Sequence, residues 1–255
     1  MRPLLAVAGL GAAAAALGLA AFGDAVPADD GGQVALAKRA PRALASRPTT
    51  REAWTARVLF PVVGRAAPRK KARKVTRISP RADYNRGPQV LLVLRAHASR
   101  RNGVWYRVRL ASRPNAAAAW VPAQALQVKR TAWRVKVDLS SRTGELFRAG
   151  RSVRRWRVAV GAPAFPTPTG LFAISEVVPQ RNSRGFFGPA ILTITAHSDR
   201  LNDFGGGDGR AALHGTSRPG LLGTAASHGC VRFGNDAIQQ IARSVPAGTP
   251  IDIVP

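Results

Sequence analysis

His214-Gly215-Thr216-Ser217-Arg218-Pro219 and, after a short spacer, Ser227-His228-Gly229-Cys230-Val231-Arg232 form the stretch on which the reading of this chain turns. Cys230 is the only cysteine in 255 residues. Without an intramolecular disulfide partner it is a reactive, a buried or an externally partnered thiol. A thiol attacks as thiolate, and at its ordinary pKa only a few per cent is ionised at neutral pH. An imidazole within hydrogen-bond reach raises that fraction. His214 and His228 are the candidates. In an extended segment His228 points to the same side of the chain as Cys230, while His214 ends a plausible strand, Ala211 to Leu213, against which a loop can fold Cys230. Gly229 lets the chain turn sharply beside the thiol. Its amide, with that of Cys230, offers the donor pair that acyl transfer needs as charge develops on a carbonyl oxygen. These residues point to acyl transfer by a Cys-His pair and leave open a small buried thiol among satisfied core histidines.

Other chemistries fit less well. His214, His228 and Cys230 supply three zinc donors, but the spacing is unusual and no fourth ligand suggests itself, so no metal is expected. Glu145 and Glu176 are the only glutamates after Thr131 and neither sits in a motif, which argues against the paired carboxylates of a glycosidase. The remaining rival is a non-enzymatic basic module that tethers to polyanions. The chain carries 39 Lys and Arg against 13 Asp and Glu, a formal charge of +26. From His214 onward, however, Arg218, Arg232 and Arg243 face Asp236 and Asp252, so nearly all the excess lies upstream. It is dense at Arg69 to Arg77 and at Arg148 to Arg157, either as a solvated surface or as a site for anionic wall polymers or membrane headgroups.

Outward from the motif, the strand rhythm is clear. Trp133, Val135, Val137 and Leu139 alternate with polar residues, Gly144 reads as a turn, and Trp156, Val158 and Val160 alternate again. Leu171 to Val178 and Ile191 to Ala196 continue the sheet around a loop with Gly185-Phe186-Phe187-Gly188-Pro189. Ile238, Ile241, Ala242 and Val245 fall at helical spacing, with Asn235 or Asp236 as N-cap and Gly248 closing the helix. Further upstream, short segments at Ala56 to Val63, Val90 to Ala96, Val104 to Leu110 and Ala119 to Val121 predict a small β-barrel. Gly103-Val104-Trp105-Tyr106-Arg107-Val108-Arg109 and Trp120-Val121-Pro122 resemble bacterial SH3-like domains. At the start, Leu4 to Phe22 is apolar and alanine-rich and is followed by Asp24, Pro27, Asp29 and Asp30, the pattern of a signal peptide or an uncleaved membrane anchor. The domain reading is therefore a leader over 1–23, a basic linker over 24–53, an SH3-like module over 54–130 and a catalytic domain over 131–255.

The paired His-Gly and Ser-His-Gly-Cys blocks closely resemble the signature of the L,D-transpeptidases. Thr167-Pro168-Thr169-Gly170-Leu171-Phe172-Ala173-Ile174 and Phe187-Gly188-Pro189 look like two further blocks of that family. The resemblance covers roughly Trp133 to Pro255. It implies a mainly β, sandwich-type catalytic domain with one or two short helices, acting on peptidoglycan stem peptides without a cofactor. It further implies that Cys230 is the nucleophile, His214 the base and acid, and Gly215 the residue whose carbonyl orients that imidazole. His228 is the secondary base because relatives carry lysine there. Ser227 hydrogen-bonds within the loop or simply turns it. Arg232 either holds a substrate carboxylate or braces the loop, and His197, outside any motif, is expected at a surface or strand end. An exported wall enzyme with no specific nucleic-acid partner is the resulting expectation.

Overall fold

A computed structural model describes residues 48–203 and 207–255. The leader and nearly all of the linker lie outside these residues. Among the described residues no helix is long and apolar enough to cross a membrane.

The first seven strands are β1 (Ala53–Val58), β2 (Val62–Arg65), β3 (Lys74–Ile78), β4 (Val90–Ser99), β5 (Gly103–Arg109), β6 (Ala118–Pro122) and β7 (Leu126–Thr131). They form one sheet in the order β3-β2-β6-β5-β4-β1-β7, each neighbour antiparallel. Ala56, Ile78, Leu91, Val93, Tyr106, Val108, Val121 and Leu126 meet in a single buried cluster. Every strand contributes to it or packs against it, the short β2 through Val62, so the sheet curls around its own core. Two strands were not legible: β3 lies inside the basic cluster, its register set by pairing with β2, and β7 alternates weakly.

The second half contributes β8 (Trp133–Asp138), β9 (Thr143–Arg148), β10 (Arg151–Arg157), β11 (Val160–Gly161), β12 (Gly170–Pro179), β13 (Ala190–His197), β14 (Arg210–His214), β15 (Ala225–Ser227), β16 (Val231–Arg232), α1 (Asn235–Ser244) and β17 (Pro250–Val254). Eight strands form a mixed sheet, β10-β9-β8-β17-β12-β13-β14-β16, parallel only between β8 and β17 and between β14 and β16. A parallel pair, β11 and β15, lies beside it. The α1 residues Ile238 and Ile241 are fully buried with Leu192, Leu213 and Phe233. Burial of each such side chain stabilises by about 1.5–3 kcal/mol.

Two local expectations change. Gly144 does not turn the chain but lies within β9, where a Cβ would stand 2.4 Å from the Phe233 ring; the turn spans 139–142 and its last residue, Arg142, takes the positive φ of 50°. Neither expected cap of α1 holds, because Gly234 takes the N-cap position with no side-chain bond while the Asn235 amide is used elsewhere, and Val245 rather than Gly248 is the C-cap.

The two sheets are joined by polar contacts and a small apolar cluster of Ala53, Leu92 and Ala173. Glu176, 3% exposed, accepts hydrogen bonds from the backbone amides of Asp83, Tyr84 and Asn85 at 2.8–3.2 Å. Carboxylate oxygens gain most when several amides converge on them.

Candidate active site

The site assembles at the β16 edge of the eight-stranded sheet. Parallel pairing sets Leu213 opposite Val231 and His214 opposite Arg232, which brings the residues before Val231 alongside β14. The Ala212 amide accordingly donates to the Cys230 thiol. Cys230, His214, Ser227, Gly229, His228 and Arg232 all line one cleft.

His214 is 1% exposed, and its Nδ1 lies 2.6 Å from the Gly215 carbonyl oxygen. A carbonyl only accepts, so Nδ1 carries the proton and Nε2 is left with its lone pair. Burial, with the Arg232 charge adding to it, lowers the imidazole pKa from 6.5 to about 4, against the opposing pull of the Gly215 carbonyl. Burial likewise pushes the Cys230 thiol up, opposed by the Ala212 amide and by Arg232. Both shifts favour the neutral forms, thiol and imidazole, with the Nε2 lone pair of His214 available to accept a proton.

The loop before the cysteine is tied to itself. Ser227, 2% exposed, donates its hydroxyl to the Cys230 carbonyl and accepts the Gly229 N–H at 3.2 Å. The Gly229 amide is therefore occupied, and the expected pair of oxyanion donors reduces to Cys230 N–H, which has no hydrogen-bond partner among the described residues. Gly229 itself, at φ 109°, sits where other residues are strained. From below, Ala162 N–H donates to the Ser227 carbonyl and Gly161 N–H to the Thr167 hydroxyl, so the Thr-Pro-Thr-Gly turn supports the catalytic loop. His228 is exposed and packs on Phe165, ring centroids 4.9 Å apart.

Arg232 is 8% exposed, has no acidic partner among the described residues, and its Nε is buried without a hydrogen bond. Its guanidinium lies 5.2 Å from the Phe186 ring centroid. Phe186, 50% exposed, stacks on His214 at 5.9 Å, and Phe187 meets the same imidazole edge-on at 5.1 Å. These two rings cover His214 and were visible in the sequence only as part of a loop block. They can approach because Gly188 and Gly215 touch: a Cβ on Gly215 would lie 2.8 Å from Gly188 Cα and 2.4 Å from Asn235 Oδ1. Asn235 bridges the two loops, accepting from Thr216 N–H at 2.8 Å and donating to the Ser183 carbonyl at 3.3 Å.

His197 ends β13, as expected, but it is not a surface residue. At 2% exposure it is buried, with Nε2 3.1 Å from Asp208. Neither it nor Asp208 and Arg210, which lie beside it, was marked by any local motif.

Comparison with known proteins places this arrangement. Residues 132–253 match the YkuD family, the L,D-transpeptidase catalytic domain. The chain is 33% identical over 123 residues to YkuD of Bacillus licheniformis and 31% identical over 121 residues to YkuD of Bacillus subtilis. The matched stretch is 48% of this chain in both cases and spans 66% and 65% of those proteins. Among solved structures, an L,D-transpeptidase from Mycobacterium smegmatis aligns at 17% identity and TM-score 0.38, covering 66% of this chain and 91% of that one. L,D-transpeptidase 3 from Mycobacterium tuberculosis aligns at 13% identity and TM-score 0.41, covering 66% and 92%. Residues 132–253, a little under half of this chain, thus match the L,D-transpeptidase catalytic domain of the YkuD family, and the matched stretch spans just under two thirds of the Bacillus relatives.

Proposed function

We propose that the chain is a cysteine L,D-transpeptidase acting on peptidoglycan stem peptides. The observation that carries this reading is the pair of adjacent strand ends, β14 and β16, that put a locked His214 and a half-buried Cys230 in one cleft within a domain of that family. His214 Nε2 takes the thiol proton as sulfur attacks the carbonyl carbon of the third stem residue. The developing oxyanion is met by Cys230 N–H. The carbon–nitrogen bond to the terminal D-alanine then breaks, and the proton on His214 passes to the departing amine. The thioester is resolved by an amine of a second stem, whose surplus proton returns to His214, or by water. Arg232, with no acid of its own, is suited to a substrate carboxylate. The apolar leader supports export to the wall, and the N-terminal sheet is read as an SH3-like module that positions the enzyme there, its basic face toward anionic polymers.

The test is incubation of the full chain with purified tetrapeptide stems and mass analysis of the products. Cross-linked dimers with loss of D-alanine are expected, and neither should form with Cys230→Ala. Loss of D-alanine without dimers would make the enzyme an L,D-carboxypeptidase. Products unchanged in the alanine variant would leave the basic module as a tether and end the enzyme reading.

A further inference from the structure

The N-terminal sheet reaches the cleft through one turn. Between β5 and β6, Arg113 donates from Nη1 to the Ser198 carbonyl at 2.7 Å and from Nη2 to those of Leu201 at 2.8 Å and Asp208 at 3.3 Å. Two residues on, Asn115 pairs with the His197 backbone in both directions, accepting its N–H and donating to its carbonyl at 2.8 Å each, and also donates to Asp199 at 3.1 Å. The carbonyls that Arg113 gathers belong to the segment whose inner side, at Ser198, Leu201 and Gly209, walls the cleft opposite the Ser227–Cys230 loop. Arg210, also on that wall, is fixed from the same sheet by Asp83 at 3.1 Å and lies over the Tyr84 ring.

The packing leaves no slack. Gly209 has φ 72°, and a Cβ there would stand 2.2 Å from the Leu201 carbonyl oxygen and 3.0 Å from the Arg113 guanidinium. Among the described residues the segment is tied to its own sheet by Ser198 N–H to the Gly209 carbonyl at 2.9 Å and by His197 Nε2 to Asp208 at 3.1 Å, while the β13–β14 pairing is irregular between Thr193 and His197. Deeper in β14, His214 is paired with both β13 and β16, and Ala212 with β13. A guanidinium is suited to this role because it can bond several carbonyls at once in a fixed fork, which an ammonium cannot reproduce.

We infer that Arg113, supported by Asn115, is a positioning residue: the N-terminal sheet sets the far wall of the substrate cleft and so governs substrate fit rather than the chemistry at sulfur. This deepens the transpeptidase reading and rests on it for the identity of the substrate. The test compares alkylation of Cys230 in the full chain by a small reagent, iodoacetamide, and a bulky one, pyrene maleimide, in wild type, Arg113→Met, Arg113→Lys and Asn115→Ala. With the wall released, the ratio of bulky to small reagent rates should rise by about fivefold or more, the iodoacetamide rate and its pH profile staying within about twofold. Lysine should recover only part of the difference. With stem peptide, Arg113→Met should raise KM by about tenfold, equivalent to about 1.4 kcal/mol of binding, with kcat little changed. An unchanged alkylation ratio in folded variants overturns the inference, as does unfolding of all three, which would make the turn a purely structural brace. A wild type that fails to turn over stems overturns the transpeptidase reading alone, because the alkylation ratio is measured without a stem.

Discussion

At the scale of the residue, the active pair is defined by what burial does to two ordinary side chains. His214 is held neutral, its pKa about 4 in the folded chain against 6.5 when exposed. A group that binds its proton less readily when folded costs stability once the unfolded chain begins to take that proton up. The penalty is absent above about pH 6.5, grows as pH falls toward 4, and then levels off at about 3 kcal/mol. His197, also lowered chiefly by burial, adds in the same direction. His214→Gln should therefore flatten the loss of stability between pH 6.5 and 4, measured as denaturation midpoints across that range. A slope equal to wild type would show that His214 does not enter the site neutral. The choice of His214 and the role of Gly215 rested on the family resemblance, but Cys230 and its two candidate histidines could be picked out from the residues themselves. The occupied Gly229 amide could not, since it depends on where the Ser227 hydroxyl points. Phe186 and Phe187 escaped notice as cover for the base because nothing near them in the chain refers to His214.

At the scale of the element, α1 shows how a residue read for one job does another. Its apolar spacing was plain and its buried face is the one expected. Asn235 stands where a helix cap would, yet its side chain spans from Thr216 to Ser183 and leaves the cap to Gly234. Asn235→Ala removes both bonds and orphans a part-buried amide, a loss of about 1–2 kcal/mol. The rings over His214 are carried by the loop it ties down, so activity on stems should fall further than stability does. Thermal unfolding and kcat/KM on one preparation check this, and an activity loss no larger than the stability loss predicts would rule out a role for the bridge in the site. Hydrophobic alternation gave β8, β12 and β13 to within a few residues. It missed β3, where Lys74, Arg77 and their neighbours hide a strand held by its partner rather than by its own pattern.

At the scale of the whole molecule, the two sheets share a boundary built from atoms no linear pattern announces. Glu176 was unremarkable in sequence and turns out to gather three consecutive amides of the other sheet. Glu176→Ala would strand those amides in a buried interface at a cost of about 2–4 kcal/mol. Calorimetry should show the wild type melting in one transition and the variant in two, the earlier belonging to the N-terminal sheet. A single undiminished transition would mean the sheets are coupled elsewhere. Among the described residues the eight-stranded sheet also has an open flank at β10, whose Arg151, Arg154, Arg155 and Arg157 are all exposed. An unpaired strand invites a second copy to extend the sheet, and aggregation begins that way. Two copies approaching flank to flank would bring like charges together along the full strand, so crowding is resisted by repulsion that salt screens. The arginines on that strand thus favour colloidal solubility.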